Sequence, residues 1–300
     1  MELIGKTKID FIGLRNVSFL ISGLIALVGL IAVIQIARGA ANMGIDFSGG
    51  TAVQIKFEKP FTTDQIRKAL ADNGIKEVDL QEIKEGNKLL IKMRKSTAPV
   101  GKIAETIEQD FRKALPGNGF TIESTTEIGP SIGDKLRKDT LIAVVISMIC
   151  IIIYIAWRFD FKFGIGAAVA TLHDVLAIFA VFFVMNKEVN LLLITAVLTI
   201  AGYSLTDTVV VFDRIRENLK RHTKDSLSSV FNASINEVLS RTIVTSLTVF
   251  MAAAALWLMG GEVIHDFAFA LVVGVAVGTY SSIFVASPVV VLLESRAVKK

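Results

Sequence analysis

The sequence contains few of the residues on which most metal and enzyme sites depend. Its 300 residues include a single cysteine, Cys150, and three scattered histidines. One cysteine forms no intrachain disulfide, and this ligand set predicts no metal cluster. The sequence has no GxxxxGK[ST] phosphate loop, and no serine lies in a nucleophile-elbow context, which argues against an ATPase or a serine hydrolase. We therefore expect no cofactor.

Apolar residues, by contrast, are abundant. They make up 52% of the chain, and the mean hydropathy is +0.59, which is typical of an integral membrane protein. Six apolar runs are about as long as a bilayer-spanning helix needs: Val17–Ala37, Thr140–Trp157, Phe163–Met185, Leu191–Phe212, Thr242–Met259 and Phe267–Leu293. The first is longer than a usual signal-peptide core, so we expect an uncleaved anchor.

The distribution of basic residues predicts the orientation of these spans. The two short loops "NKEVN" and "GGEVIHD" contain only Lys187, whereas the alternate segments are rich in lysine and arginine. By the positive-inside rule both termini face the cytoplasm. The basic residues on that side are Lys6, Lys8, Arg15, Arg158, Lys162, Arg214, Arg216, Lys220, Arg221, Lys224, Arg296, Lys299 and Lys300. The basic loop "KRHTK" fits this topology signal better than a nucleic-acid site, so no nucleic-acid partner is expected.

Residues 40–139 form a hydrophilic block between the first two spans, and we expect it outside the cytoplasm. "TAVQIKF" and "FTIESTTEI" have strand character, "VDLQEI" and "KLLIKMR" flank a hairpin turn, and two segments have helical periodicity. The order β-α-β-β-α-β predicts a ferredoxin-like α+β domain. Residues 1–39 then hold the N-terminus and first span, and residues 140–300 hold five spans. An amphipathic segment near 226–241 is expected to lie along the cytoplasmic surface before turning into the fifth span.

Polar side chains within the apolar spans are the candidate functional residues. In the fourth span Ser204, Asp207 and Thr208 share one helical face, and near the start of the fifth Arg241 and Thr245 share another. A charged residue at the centre of a membrane helix costs about 2.5–3.5 kcal/mol, so each requires a partner or a hydrated path. An Asp–Arg pair that only joins two helices is one interpretation. The other is a proton relay in which Asp207 binds and releases protons.

The third span carries a second polar pair, His173 and Asp174, about halfway along its length. It is either a hydrogen-bonded core pair or a further part of the relay. "MGIDFSGG", after the first span, is similarly open to two interpretations, a tight glycine turn or a hinge that uses Gly44, Gly49 and Gly50.

Five motifs, in order along nearly the whole chain, resemble the SecF family of bacterial protein-export membrane proteins, within the resistance–nodulation–division class. They are "GIDFSGG", "EIGPSIG", "LHD", "GYSLTDTVVVFDRIREN" and "NASINEVLSRTIVTSLT". The resemblance implies an accessory subunit of the Sec translocase in the bacterial inner membrane that uses proton flow to drive movements of the outer domain and so promotes preprotein export. Asp207 matches the family's proton-carrying Asp and Arg241 its linked Arg. Asp213 and Arg214 match an inner-edge motif expected to be structural.

The resemblance also implies the partners. These are SecD, the SecYEG channel, YajC, an unfolded preprotein and membrane lipid, with H⁺ as the coupling ion and Na⁺ as the alternative. Thr206, Glu237 and Val238 depart from the family's commoner residues. Two other functions stay open at this point. One is a scaffold that stabilises the translocon without conducting protons, and the other is an exporter of small molecules or lipids.

Overall fold

A computed structural model describes residues 7–72, 78–83, 86–94, 103–114, 117–222 and 224–298. The chain forms two compact units, Met43–Ile142 and a second that joins Met1–Asn42 to Ala143–Lys300. These boundaries lie within three residues of the predicted 40–139 block. Some predicted features lie outside the described residues, namely Lys6, Lys299, Lys300 and residues 84–85 of the hairpin loop.

The described residues form helices and strands in the following order along the chain. They are α1 (Arg15–Ala37), α2 (Ile45–Ser48), β1 (Gly50–Phe57), α3 (Thr63–Asp72), β2 (Val78–Ile83), β3 (Lys88–Arg94), α4 (Ile103–Ala114), β4 (Phe120–Ile128), α5 (Pro130–Arg158), α6 (Phe161–Val184), α7 (Leu191–Arg221), α8 (Leu227–Met259), α9 (Glu262–Ser281), a π-helical turn (Ser282–Ala286) and α10 (Ser287–Val298). Six helical stretches in the described residues are long and apolar enough to cross a membrane, which confirms the six predicted spans. The sixth stretch combines α9, the π turn and most of α10.

The Met43–Ile142 unit has the predicted β-α-β-β-α-β order. Its antiparallel sheet has the strand order β2-β3-β1-β4, the ferredoxin-like arrangement. Alternate residues of β1, such as Val53 and Ile55, are fully buried against Leu70 of α3 and Phe111 of α4. On the other face Lys88 contacts Glu123 at 2.8 Å, and this hydrogen bond lowers the pKa of Glu123 below its ordinary value.

In the membrane unit, α6 and α7 are the most enclosed spans. More than half of the span residues of each are buried, whereas only 6% of the α5 span is buried. Phe212 of α7 lies at the centre of the core, with edge-to-face contacts to Phe159 and Phe163. The buried polar residues of these two helices, such as Asp174 and Asp207, are therefore held among other helices.

The amphipathic segment near 226–241 does not turn into the fifth span. Both belong to one uninterrupted helix, α8, which begins at Leu227 after a cap in which Ser226 accepts a hydrogen bond from Ser229 N. The apolar residues that predicted a surface-lying face, such as Phe231 and Ile235, are instead buried in the helical core. Burial against neighbouring helices explains the amphipathicity without a separate surface helix.

The irregular sixth span has a local cause. Pro288 has no N–H to continue the α-helical ladder, and its ring crowds the preceding turn. The π turn Ser282–Ala286 lies immediately before it, and Ser287 Oγ donates to Ser282 O at 3.1 Å. Such turns are a common response to a break in the ladder.

Candidate functional site

Asp207 lies on α7 with only 5% of its surface exposed. Ser246 Oγ of α8 donates to Asp207 Oδ2 at 2.9 Å, and Thr245 Oγ1 makes a longer contact to Oδ1 at 3.5 Å. The carboxylate thus spans the α7–α8 interface through hydroxyl groups. Hydroxyls can donate to a carboxylate or accept from a carboxylic acid, so these partners are compatible with either protonation state of Asp207.

A cavity of about 390 Å³ adjoins the Asp207 carboxylate. Its wall carries hydroxyl groups from both helices, including those of Tyr203 on α7 and Thr242 on α8. These two hydroxyl oxygens are buried and have no hydrogen-bond partner among the described residues. At this size, and beside a carboxylate, the cavity has room for several water molecules or a small hydrated ion.

Arg241 lines the same cavity, from α8. Its side chain is exposed, and within the described part of the chain it forms no ion pair with Asp207 or another acid. The Asp207–Arg241 salt bridge of the helix-joining interpretation is therefore not formed among these residues. Arg241 contributes positive charge to the cavity without neutralising Asp207 by direct contact.

Asp174 on α6 is more deeply enclosed than Asp207, with no exposed surface. Its Oδ2 accepts hydrogen bonds from Ser204 Oγ at 2.5 Å and from Ser281 Oγ at 2.8 Å. Ser204 belongs to α7 and Ser281 to α9, so one carboxylate oxygen joins three helices. Asp174 is not part of the lining of the cavity beside Asp207.

His173 completes this second cluster. Its Nδ1 lies 3.1 Å from Asp174 Oδ1, and its ring is 6.1 Å from that of Tyr280. Tyr280 in turn shares a 3.0 Å hydrogen bond with Ser22 of α1 and donates to Ser18 O at 3.2 Å. His173 Nε2 is buried without a partner among the described residues. The cluster therefore links four helices, and none of its described residues lines the Asp207 cavity.

The α7–α8 interface also carries a charged network at Arg214 and Glu237. Arg214 Nε donates to Glu237 Oε2 at 2.5 Å, and Asn218 Nδ2 donates to the same oxygen at 2.9 Å. Asn218 also bonds Ser234 at 3.0 Å. Glu237, one of the departures from the family pattern, thus joins α8 to the "DRIREN" motif of α7 and contacts neither Asp207 nor Arg241.

The glycines proposed as a hinge are closely packed in the Met43–Ile142 unit. Gly49 and Gly50 have φ of 69° and 145°, which favour glycine. A Cβ on Gly49 would lie 3.0 Å from Pro130 Cα, and one on Gly50 would overlap Met93 O. Gly44 is the N-cap of α2 and has an ordinary φ of −68°. The positive φ and the lack of space for a Cβ explain why glycine occupies positions 49 and 50. The hinge stays a prediction.

Helical periodicity placed Ser204, Asp207 and Thr208 on one face, and all three are buried. They have different partners, however: Ser204 bonds Asp174, whereas the hydroxyl of Thr208 bonds back to Ser204 O at 3.3 Å. Thr245 contacts Asp207 as described above. Ser246 and Ser281 were not predicted as partners of these carboxylates, although each is a hydroxyl in an apolar span, which was the available signal.

Comparison with known proteins identifies the family. Residues 107–296 match a family model described as "Protein export membrane protein SecD/SecF, C-terminal", and residues 41–61 match "SecD/SecF GG Motif". The chain is 51% identical to "Protein translocase subunit SecF" of Thermodesulfovibrio yellowstonii, covering 100% of this chain and 99% of that protein. It is 40% identical to the protein of the same name from Calditerrivibrio nitroreducens, with 98% and 97% covered.

Solved structures show the same fold. The crystal structure of SecDF, a translocon-associated membrane protein from Thermus thermophilus, matches with a TM-score of 0.84 and 34% identity over 97% of this chain. SecDF in a super-membrane-facing form matches with a TM-score of 0.71 and 33% identity over 100% of the chain. The chain spans only 39% and 40% of those two longer chains. With a family match over most of its length and full-length relatives at this identity, the chain belongs to the SecD/SecF family of protein export membrane proteins.

Proposed function

We propose that this chain is an accessory subunit of the Sec protein translocase, in which proton binding and release at Asp207 promote preprotein export. One observation carries the proposal: a buried carboxylate in a membrane-spanning helix adjoins a hydroxyl-lined cavity of about 390 Å³ and has no ion-pair partner among the described residues. Asp207 has hydroxyl partners and space for water beside it, so it can exchange a proton without breaking an ion pair.

The energy available to such a site is sufficient for a modest conformational change. One charge that crosses 100 mV of membrane potential releases about 2.3 kcal/mol, which changes an equilibrium constant about 45-fold. Protonation of Asp207 removes a charge at the α7–α8 interface, where Ser246 and Thr245 contact it. The relative position of α7 and α8 is therefore the element that the proton would bias.

We assign ion exchange to Asp207 and a positioning role to Asp174. Asp174 has no exposed surface, has three hydrogen-bonding neighbours and does not line the cavity. Ser204 connects the two sites, since it lies one turn before Asp207 on α7 and bonds Asp174 on α6. In this assignment Asp174 and His173 hold α7 in place while Asp207 changes protonation state.

The proposal includes a SecD partner that covers the open side of the cavity. Thr206, Thr245 and Thr248 line it and are exposed in the isolated chain. Polar residues at membrane depth face other helices or water and not lipid. The names of the relatives and the longer SecDF chains support SecD as the source of those helices. SecYEG, YajC and an unfolded preprotein are the further partners that the family resemblance suggests.

We also propose that the chain lies in the bacterial inner membrane with both termini in the cytoplasm and the Met43–Ile142 unit outside. The charge asymmetry of the short loops supports this orientation. The existence of a super-membrane-facing form of SecDF supports conformational change in the family. In this chain, movement of that unit would be the output of proton exchange at Asp207.

Complementation of a strain that lacks its own copy tests the role of Asp207. Asp207→Asn keeps the size of the side chain and cannot ionise, so we expect normal membrane levels and at least tenfold slower proton-dependent export. Asp213→Asn is the matched control, because Asp213 is on the same helix but half-exposed, with an Arg158 contact at 3.3 Å. It should export at close to the wild-type rate.

Normal export by Asp207→Asn would overturn the proton role and leave the non-conducting scaffold as the function. Measurement of ion currents in membranes that contain the chain with SecD, with H⁺ or Na⁺ as the permeant cation, identifies the coupling ion. We expect currents with H⁺ that the Asp207→Asn variant abolishes.

A further inference from the structure

The segment just before α1, residues 7–14, is bound to the side of α8 by two asparagines. Asn236 Oδ1 accepts from Thr7 Oγ1 at 2.6 Å and from Ile9 N at 3.0 Å, and its Nδ2 donates to Ile9 O at 2.9 Å. Asn232 Oδ1 accepts from Ile12 N at 3.0 Å. We call residues 7–14 the N-terminal strap.

The strap also closes part of the helical core. Phe11 and Ile12 are 3% and 2% exposed and belong to the cluster that contains Phe231 and Ile235 of α8. Phe11 makes an edge-to-face contact with Phe284, whose ring centroid lies 5.5 Å away. A topology signal alone requires only basic residues in this segment. Buried apolar side chains and paired backbone groups indicate a specific docking site.

The asparagine amides bind the strap as a neighbouring peptide chain would. A side-chain amide offers one acceptor and two donors, and Asn236 uses both kinds on the backbone of Ile9. Asn232 also uses both its acceptor and a donor on the strap: Oδ1 accepts from Ile12 N, and Nδ2 donates to Asp10 Oδ1 at 2.6 Å. Asp10 Oδ1 also accepts from Gly13 N at 2.8 Å, which fixes the turn into α1.

The strap and α7 hold opposite sides of α8. With 3.6 residues per turn, Asn232 and Asn236 lie about 40° apart, while Ser234 lies about 160° from Asn232. Ser234 bonds Asn218 of α7, and Glu237 bonds Arg214 of α7. The first half of α8 is therefore fixed between the strap and α7.

We propose that Asn232 and Asn236 are positioning residues that use the N-terminal strap to hold α8 against α7, and so keep Ser246 and Thr245 in contact with Asp207. The reason is mechanical. α8 is one uninterrupted helix from Leu227 to Met259, so a displacement of its first half moves the hydroxyls further along. The effect on Asp207 rests on the proposed function, whereas the docking of the strap does not.

The experiment compares the wild-type chain with an Asn232→Ala/Asn236→Ala variant, each produced with SecD and placed in lipid nanodiscs. Deuterium uptake of the peptide that covers residues 7–14 measures docking, since the N–H groups of Ile9 and Ile12 bond these asparagines. Because one hydrogen bond contributes modestly, we expect about tenfold faster exchange at these two amides in the variant. Asn236→Asp keeps one acceptor oxygen but replaces the donor Nδ2 by an oxygen that faces Ile9 O and Asn232 O, so it should not restore slow exchange at Ile9.

Asn118→Ala is the matched control for a lost asparagine. Asn118 forms the same kind of clamp in the Met43–Ile142 unit, where Oδ1 accepts from Lys59 N at 2.9 Å and Nδ2 donates to Lys59 O at 3.0 Å. Its loss should speed exchange near Lys59 and leave the strap protected. The pH dependence of export should also remain that of the wild type.

Export measured against pH tests positioning. The double variant should shift the pH midpoint in the same direction as Ser246→Ala, which removes a donor to Asp207 directly. Rapid exchange of the strap in the wild-type chain overturns the docking. Faster strap exchange in the double variant with an unshifted pH midpoint, while Ser246→Ala does shift it, overturns the positioning role. Normal export by Asp207→Asn would instead overturn the proposed function, and docking would still be decided by deuterium uptake.

Discussion

The bond between Ser204 and Asp174 offers a sharp test of how the helices are held together. Ser204→Ala removes one hydroxyl oxygen from a residue that is 1% exposed and leaves Ser281 as the remaining serine donor to Asp174. Interhelical hydrogen bonds in a membrane protein contribute about 0.6 kcal/mol on average and about 1.7 kcal/mol at most. We expect a loss near the upper end, about 1.5 kcal/mol, because the acceptor is a fully buried carboxylate.

A double-mutant cycle isolates this bond from the other effects of each substitution. The variants are Ser204→Ala, Asp174→Leu and the two combined, and the measurement is reversible unfolding in mixed micelles followed by tryptophan fluorescence. We expect a coupling free energy of about 1 kcal/mol between the two positions. Thr199→Ala is the matched control, since the exposed Thr199 hydroxyl on the same helix bonds only its own helix, at Thr195 O. Its cost should be close to zero.

Two results would refute this reasoning. A coupling free energy within about 0.3 kcal/mol of zero would mean that the Asp174 carboxylate does not hold α7 through Ser204. A loss from Thr199→Ala as large as that from Ser204→Ala would mean that any hydroxyl on α7 has the same effect, and that the buried position of Ser204 is irrelevant.

Two further predictions concern packing and charge. Gly29→Ala should destabilise the chain by about 1–3 kcal/mol in the same unfolding assay, because the added Cβ would overlap the carbonyl of Leu176 where α1 crosses α6. Gly23→Ala is the control on the same helix. Its Cβ meets no atom within 4 Å, so this variant should be neutral or slightly stabilising. The pKa of Glu123 is lowered in the folded state, chiefly by its hydrogen bond from Lys88, so its contribution to stability is present above its ordinary pKa and is lost as the pH falls through the folded value. Deuterium uptake of the β-sheet should therefore rise on acidification in the wild type and rise less in Glu123→Gln; an equal rise in both would contradict this assignment.

The sequence was sufficient for the architecture because the bilayer and the strand period impose simple rules. Lengths of apolar sequence predict the six spans, since a spanning helix needs about 20 residues. The alternation of Val53, Ile55 and Phe57 and the helical period before and after the hairpin predict the ferredoxin-like order. The prediction of a surface helix at the start of α8 was wrong, because burial in a protein core and burial at a membrane surface produce the same helical periodicity.

What the sequence determined about the site was that polar groups in the spans need partners, and which of them share a helical face. It did not determine the partner, because one turn of a helix faces several neighbours and periodicity does not specify which helix lies opposite. Only the tertiary structure placed Ser246 against Asp207, directed Ser204 to Asp174 and left Arg241 without an ion pair among the described residues. The same limit concealed the docking of the strap on Asn232 and Asn236, whose partners lie more than 200 residues away in the chain.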